Sequence, residues 1–195
     1  MENKIIIGIP TTGSIKSKTA LSLLETIRQN KDLDIIPVFQ HGGFVAENRA
    51  KIVGVAQMML ASHLFFVDHD VVFSADTLPR LLAHDKGIVG CMYNYRKLPL
   101  QTTTKFFNEK GETVNEIDKI PDELFEVAAF GMGCSLIKMS VFTSLEKPYF
   151  PMEQNEEGDR VLSEDVGFYE KARDKGYKVY CDPTIKIGHI GDYIY

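Results

Sequence analysis

The chain has 195 residues, 44% apolar and 25% charged, which suits one globular domain with a substantial core and leaves too little for two. A formal net charge of −5 argues against a strongly basic nucleic-acid surface, although a local basic patch keeps DNA or RNA open as an acceptor. No apolar run approaches the roughly 20 residues that cross a bilayer, so a transmembrane segment is not expected.

Lys4 to Ile9 is a strand, and its Ile5-Ile6-Ile7 run is too short for the core of a signal peptide. Ser17 to Asn30 places Ala20, Leu24 and Ile27 on one helical face, flanked by Leu21 and Leu23. Asp34 to Phe39 is a second strand. Val45 to Ala61 carries Ile52, Val53, Ala56, Met59 and Leu60 at helical spacing. His63 to Val67 is a third strand running into Asp68-His69-Asp70. Ser74 is a candidate N-cap for a helix through His84, with Pro79 late in it. Gly87 to Cys91 is a short strand. Beyond it, strand-like pieces at Thr102 to Phe107, Phe125 to Ala129 and Cys134 to Lys138 are separated by polar loops. Ser163 caps a helix to Lys175 that stops at Gly176, and Tyr177 to Cys181 is a strand. Strands alternating with helices predict an α/β domain with a parallel sheet. The polar stretches Asn108 to Glu123 and Glu153 to Leu162 are candidate lids. Cys91, Cys134 and Cys181 have no metal-type spacing and lie in or beside apolar runs, which predicts buried thiols in a reducing, cytoplasmic setting.

Asp68 and Asp70 appear abruptly at the carboxyl end of an otherwise apolar strand, where open α/β sheets bind ligands. The two-residue period of a strand can turn both to one side, and a divalent cation would relieve their repulsion while bridging to phosphate oxygens. A surface turn capped by aspartates is the alternative for any single Asp-x-Asp. The motif has company: Asn48-Arg49 on the preceding helix, then Phe130-Gly131-Met132-Gly133-Cys134, Ser163-Glu164-Asp165-Val166 and Ile187-Gly188-His189-Ile190-Gly191. In this order and spacing the set resembles the GT-A glycosyltransferases, particularly the bacterial and phage members similar to family 2, over nearly the whole chain.

The resemblance implies a single GT-A domain over 1–195, with a Rossmann-like, mostly parallel sheet, helices on both faces and a more irregular C-terminal half. Residues 1–100 would bind the nucleotide-sugar and 101–195 would face the acceptor. Asp68, Asp70 and His189 match the metal-binding positions, with Asp70 the more direct ligand; the imidazole favours Mn²⁺ over Mg²⁺. Asp165 matches the general base and Glu164 its acidic catalytic neighbour, orienting or contacting the acceptor; equally, both stabilise a helix N-terminus. Pro10, Thr11 and Thr12 match the base and ribose site, and His69 is grouped with the donor-binding residues. Gly131, Met132 and Gly133 match a loop closing over the sugar, or form a tight turn. Arg49 would pair with a phosphate or with an aspartate.

Tyr93-Asn94-Tyr95-Arg96-Lys97 would stack on a sugar or base, or form an ordinary loop. The expected reaction moves a sugar from a nucleotide-diphosphate-sugar, a UDP-sugar by preference, to a hydroxyl acceptor. A glycan is the default acceptor; a soluble hydroxylated target or a modified DNA base would need a basic strip, for which Arg96, Lys97, Lys105 and Lys110 are the candidates. A non-catalytic nucleotide- or sugar-binding module is the second reading. A sugar nucleotidyltransferase is the third, its Thr11–Lys18 loop having one glycine and two lysines. P-loop, dinucleotide and esterase motifs are absent.

Overall fold

The computed structural model describes residues 4–154 and 160–191. In chain order the elements are β1 (Lys4–Pro10), α1 (Ser17–Gln29), β2 (Asp34–Gln40), α2 (Val45–Met58), β3 (His63–Val67), β4 (Val71–Val72), α3 (Thr77–Ala83) and β5 (Ile88–Cys91). There follow β6 (Phe106–Phe107), β7 (Thr113–Val114), β8 (Phe125–Val127), β9 (Cys134–Lys138), α4 (Met139–Ser144), β10 (Glu153–Gln154), β11 (Arg160–Leu162), α5 (Glu164–Asp174), β12 (Val179–Asp182) and β13 (Gly188–His189).

Seven strands form one sheet in the order β2-β1-β3-β9-β5-β12-β8. Five of them share a direction, while β9 runs antiparallel between β3 and β5 and β8 lies antiparallel at the edge. The expected Rossmann-like, mostly parallel α/β sheet is therefore present, with one reversed strand at its centre. The strands read as continuous apolar runs because both faces are covered. Ile5, Ile7 and Ile9 pack with Phe65, Val67 and residues of α1 and α3 on one face. Ile6, Leu64 and Phe66 pack with α2, α4 and α5 on the other. Each fully buried isoleucine contributes about 1.5–3 kcal/mol. The three cysteines are buried free thiols, as expected, with Cys134 and Cys91 Sγ atoms 3.5 Å apart across β9 and β5. Among the described residues no helix is long and apolar enough to cross a membrane.

Several local expectations need correction. Helix α1 buries Thr19, Ser22, Leu23 and Thr26, whereas Leu21 and Leu24 are exposed. Its contact is a hydroxyl stripe: Ser22 Oγ accepts from the Phe73 amide at 3.2 Å, and Thr26 Oγ1 donates to the Ser22 carbonyl at 2.8 Å. Helix α2 ends at Met58, and Leu60, expected on its apolar face, is exposed in a left-handed turn (φ 56°). Helix α3 begins at Thr77 instead of following a Ser74 cap; Ser74 Oγ bonds the Asp76 carboxylate. That later start puts Pro79 in the first turn, where its missing N–H costs nothing. The Thr102–Phe107 strand shrinks to β6 plus isolated bridges at Thr102 and Lys105. The last large-sheet strand starts at Val179 rather than Tyr177. Of the two candidate lids, the first contains β7; the second contains β10 and β11, and its residues 155–159 lie outside the described residues.

Candidate functional site

The carboxyl ends of β1 and β3 open onto a pocket of about 240 Å³. Pro10, Thr11 and Thr12 line it from the end of β1. Thr11 Oγ1 accepts from the Gly13 amide at 2.7 Å and donates to the Ser14 carbonyl at 2.9 Å, which closes this loop on itself. Asn48 and Arg49 line it from α2, Asp68, His69 and Asp70 from the end of β3, and Glu164 from the start of α5.

Arg49 is 2% exposed and sits between two carboxylates. Nη1 donates to Glu164 Oε1 at 2.7 Å and Nη2 to Asp68 Oδ1 at 3.0 Å. The guanidinium also lies 5.9 Å from the Phe66 ring centroid. Burial alone would favour its neutral form, but the fields of Asp68, Glu164 and Asp165 reverse this and hold it firmly protonated. The arginine thus pairs with an aspartate, one of its two expected roles, and it also takes Glu164, which was expected to face an acceptor.

Asp70 is brought to His189 by a two-stranded ribbon. Strand β13 pairs antiparallel with β4, with His189 opposite Val71, and the Ile190 amide donates to the Asp70 carbonyl at 2.8 Å. His189 Nε2 lies 3.5 Å from Asp70 Oδ1, and Nδ1 lies 2.9 Å from the Asn94 carbonyl. Arg96 Nη1 donates to Asp70 Oδ2 at 2.7 Å, and His69 Nε2 is 4.0 Å from the same oxygen. Burial opposes charge on Asp70, but the bond from His189 and the fields of His189, His69 and Arg96 keep its pKa below the ordinary carboxylate value. Burial likewise opposes charge on His189, yet Asp70 and the Asn94 carbonyl raise its pKa.

A carboxylate and an imidazole at this separation are a donor pair suited to Mn²⁺ or Mg²⁺, which commonly take one or two protein carboxylates and leave other positions to phosphate and water. Asp68 is turned toward Arg49. Among the described residues no group of three or more His, Cys, Asp or Glu side chains is gathered around a single point. The residues fit a cation held by Asp70 and His189, at the place where Arg96 now neutralises Asp70.

Gly131, Met132 and Gly133 are buried and form the support beneath the site. A Cβ at Gly133 would stand 2.5 Å from Asp68 Oδ2 and 2.8 Å from the Tyr93 hydroxyl, so a side chain there would displace both. The Gly133 amide donates to that hydroxyl at 3.1 Å. The Tyr93 ring meets His189 edge-on at 5.2 Å, and burial with the nearby Asp68 charge pushes its phenol pKa well above normal.

Asp165 lies in the first turn of α5. The Val166 amide donates to its Oδ1 at 2.8 Å, and Ser163 Oγ donates to the same atom rather than capping the helix amides. Its Oδ2 has no hydrogen-bond partner among the described residues. Its charge raises the pKa of Tyr95, after burial.

A larger cleft of about 1060 Å³ adjoins the pocket and shares Arg96 and His189 with it. Of the proposed basic strip, Arg96 is committed to Asp70, Lys97 lies 5.3 Å from the Tyr95 ring centroid, and Lys105 bonds Asn115. Sequence reasoning gave no role to Asn48, to the Asn94 carbonyl, or to the Arg96–Asp70 pair. The Asn48-Arg49 dipeptide was a visible signal; the other two arise from loop geometry.

No protein-family model matches the sequence, and no curated protein matches it. Among solved structures, the crystal structure of A197 from STIV is similar, with a TM-score of 0.68 and 19% identity over 97% of this chain and 86% of that one. At that identity the likeness is one of fold alone, a shared α/β architecture around a mostly parallel sheet.

Proposed function

We propose that the chain transfers a sugar from a nucleotide-diphosphate-sugar to a hydroxyl acceptor. The observation that carries this reading is the meeting of Asp70 and His189 at the mouth of a pocket formed by the carboxyl ends of β1 and β3. A divalent cation held by these two residues supplies, when bound, stabilisation of charge on the leaving diphosphate.

The protein's own side chains have separable tasks. Arg49 holds Asp68 and Glu164 in place through one hydrogen bond to each. Arg96, half-exposed, is positioned to transfer from Asp70 to a diphosphate oxygen, where its fork pairs in two-pronged fashion. Asp165 Oδ2 takes the acceptor hydroxyl proton as the new glycosidic bond forms, while the bonds to Oδ1 fix its direction. The adjoining cleft is the place for the acceptor. A UDP-sugar is the preferred donor and a glycan the default acceptor; a hydroxylated base in DNA would require a basic track that Arg96, in its present pairing, does not provide.

Calorimetric titration with UDP, GDP, CDP and TDP, with and without Mn²⁺, tests the reading. Metal-dependent binding of one diphosphate that disappears in Asp70→Ala is the expected result. No binding by a protein whose circular dichroism shows it folded would overturn the reading and leave a module without a nucleotide site.

A further inference from the structure

Two buried polar atoms on residues lining the pocket have no partner among the described residues, Arg49 Nε, a donor, and Asn48 Oδ1, an acceptor; the acceptor is the one that points to a ligand donor. Asn48, early in α2, is 3% exposed and lines the pocket. Its amide nitrogen donates to the Gly43 carbonyl at 3.2 Å and to the Thr11 carbonyl at 3.5 Å. Two carbonyl partners fix which way round the amide sits, because a flipped group would set oxygen against oxygen. Oδ1 is left as a buried acceptor with no donor among the described residues. Buried polar atoms are nearly always paired, so an orphan in a pocket wall points to a donor arriving from outside the chain.

We propose that Asn48 Oδ1 receives the ring N–H of the nucleotide base. Asn48 would then select bases carrying such an N–H (uracil, thymine or guanine) over cytosine, whose corresponding ring nitrogen is itself an acceptor. The inference rests on the nucleotide-sugar reading of this pocket. Its geometry comes from the sheet. Asn48 is tied to the end of β1 and to the loop after β2, whereas the Asp70–His189 pair follows β3. In the order β2-β1-β3 those two anchors stand one and two strand spacings from the end of β3, about 5–10 Å, which leaves the ribose to span the interval. Phe44, beside Gly43 and 74% exposed, lines a neighbouring hollow that shares Thr12 and Gly43 with the pocket. A ribose hydroxyl is the other donor able to reach Oδ1, and the test separates the two.

The experiment titrates the wild-type protein, in Mn²⁺, with UDP, N3-methyl-UDP, 2′-deoxy-UDP and CDP, and with the pair GDP and N1-methyl-GDP. The series is repeated on Asn48→Ala. The parent that binds should lose about tenfold in affinity on N-methylation, CDP should be weaker by a similar factor, and 2′-deoxy-UDP should match UDP. Asn48→Ala should weaken the parent about tenfold while leaving the methylated analogue unchanged, a coupling that a merely structural role does not produce. Equal binding of parent and methylated forms by the wild type, or equal weakening of both by the substitution, would overturn the proposal with the nucleotide site intact. A loss confined to 2′-deoxy-UDP would move Asn48 to the ribose and overturn the base assignment. Binding of no nucleotide by the folded wild type would overturn the underlying reading as well. If Asn48→Ala does not fold, the wild-type ligand series decides alone.

Discussion

Removing the Arg49 guanidinium would leave the Asp68 and Glu164 carboxylates without the cation now between them, in a space largely closed to water. Breaking a buried ion pair by deleting one partner is far costlier than the pair's net worth, because the remaining charge keeps its desolvation penalty. Arg49→Met should therefore destabilise the protein by about 3 kcal/mol, measured by urea denaturation followed by circular dichroism. Arg49→Lys should recover only part of that loss, since one ammonium cannot present two prongs to two acids. At this scale the residue types were legible from spacing and order: Arg49, Asp68, Asp70, Glu164 and His189 do share one pocket. Their pairing was not. Arg49 and Glu164 are 115 positions apart, and nothing in composition or period says which of two carboxylates a buried arginine will hold.

Between elements, one buried carboxylate ties α3 to the end of β12. Asp182 is 4% exposed, and its Oδ1 accepts from the Thr184 amide at 2.8 Å, while His84 Nε2 lies 2.8 Å and Arg80 Nη2 3.6 Å from Oδ2. Burial opposes its charge, but the bonds from Thr184 and His84 and the Arg80 field lower its pKa below the ordinary value. A group lowered on folding stabilises the native state above its unfolded pKa of about 3.9, and the contribution fades as pH falls through the lower folded value. Asp182→Asn should cost about 1–2 kcal/mol at pH 7, and the gap between the two urea midpoints should close progressively below about pH 4. Element existence was legible throughout the sheet, where unbroken apolar runs such as Ile5 to Ile7 leave no other solution. The face of α1 was not legible, because apolar periodicity points to Leu24 while the docked face consists of Leu23 with Thr19, Ser22 and Thr26, the Ser22 hydroxyl accepting from the Phe73 amide and the Thr26 hydroxyl turning back on its own helix. The start of α3 was misplaced for a related reason: Ser74 spends its hydroxyl on the Asp76 side chain, so it resembles a cap without acting as one.

Across the whole molecule, the first and second halves of the sequence build one sheet. Strand β9, from the second half, is inserted between β3 and β5 of the first, and β12 flanks β5 on its far side. A fragment of residues 1–100 would expose both inner edges and the apolar sides of β3 and β5. It should show no cooperative urea transition by circular dichroism, whereas the full chain should unfold in one step. The alternation of strands and helices made the parallel part of this plan legible. The reversed β9 was not, since a short apolar strand carries no mark of its direction. The same interleaving bears on the three thiols. Cys91 and Cys181 sit on neighbouring strands β5 and β12, Cys134 lies across from Cys91 on β9, and burial lifts the pKa of Cys91 and Cys181 well above a free thiol's. Buried within the sheet, all three can meet an alkylating reagent only when the strands part. The chain therefore carries an internal clock, because the rate at which its cysteines become labelled reports how often the whole sheet opens.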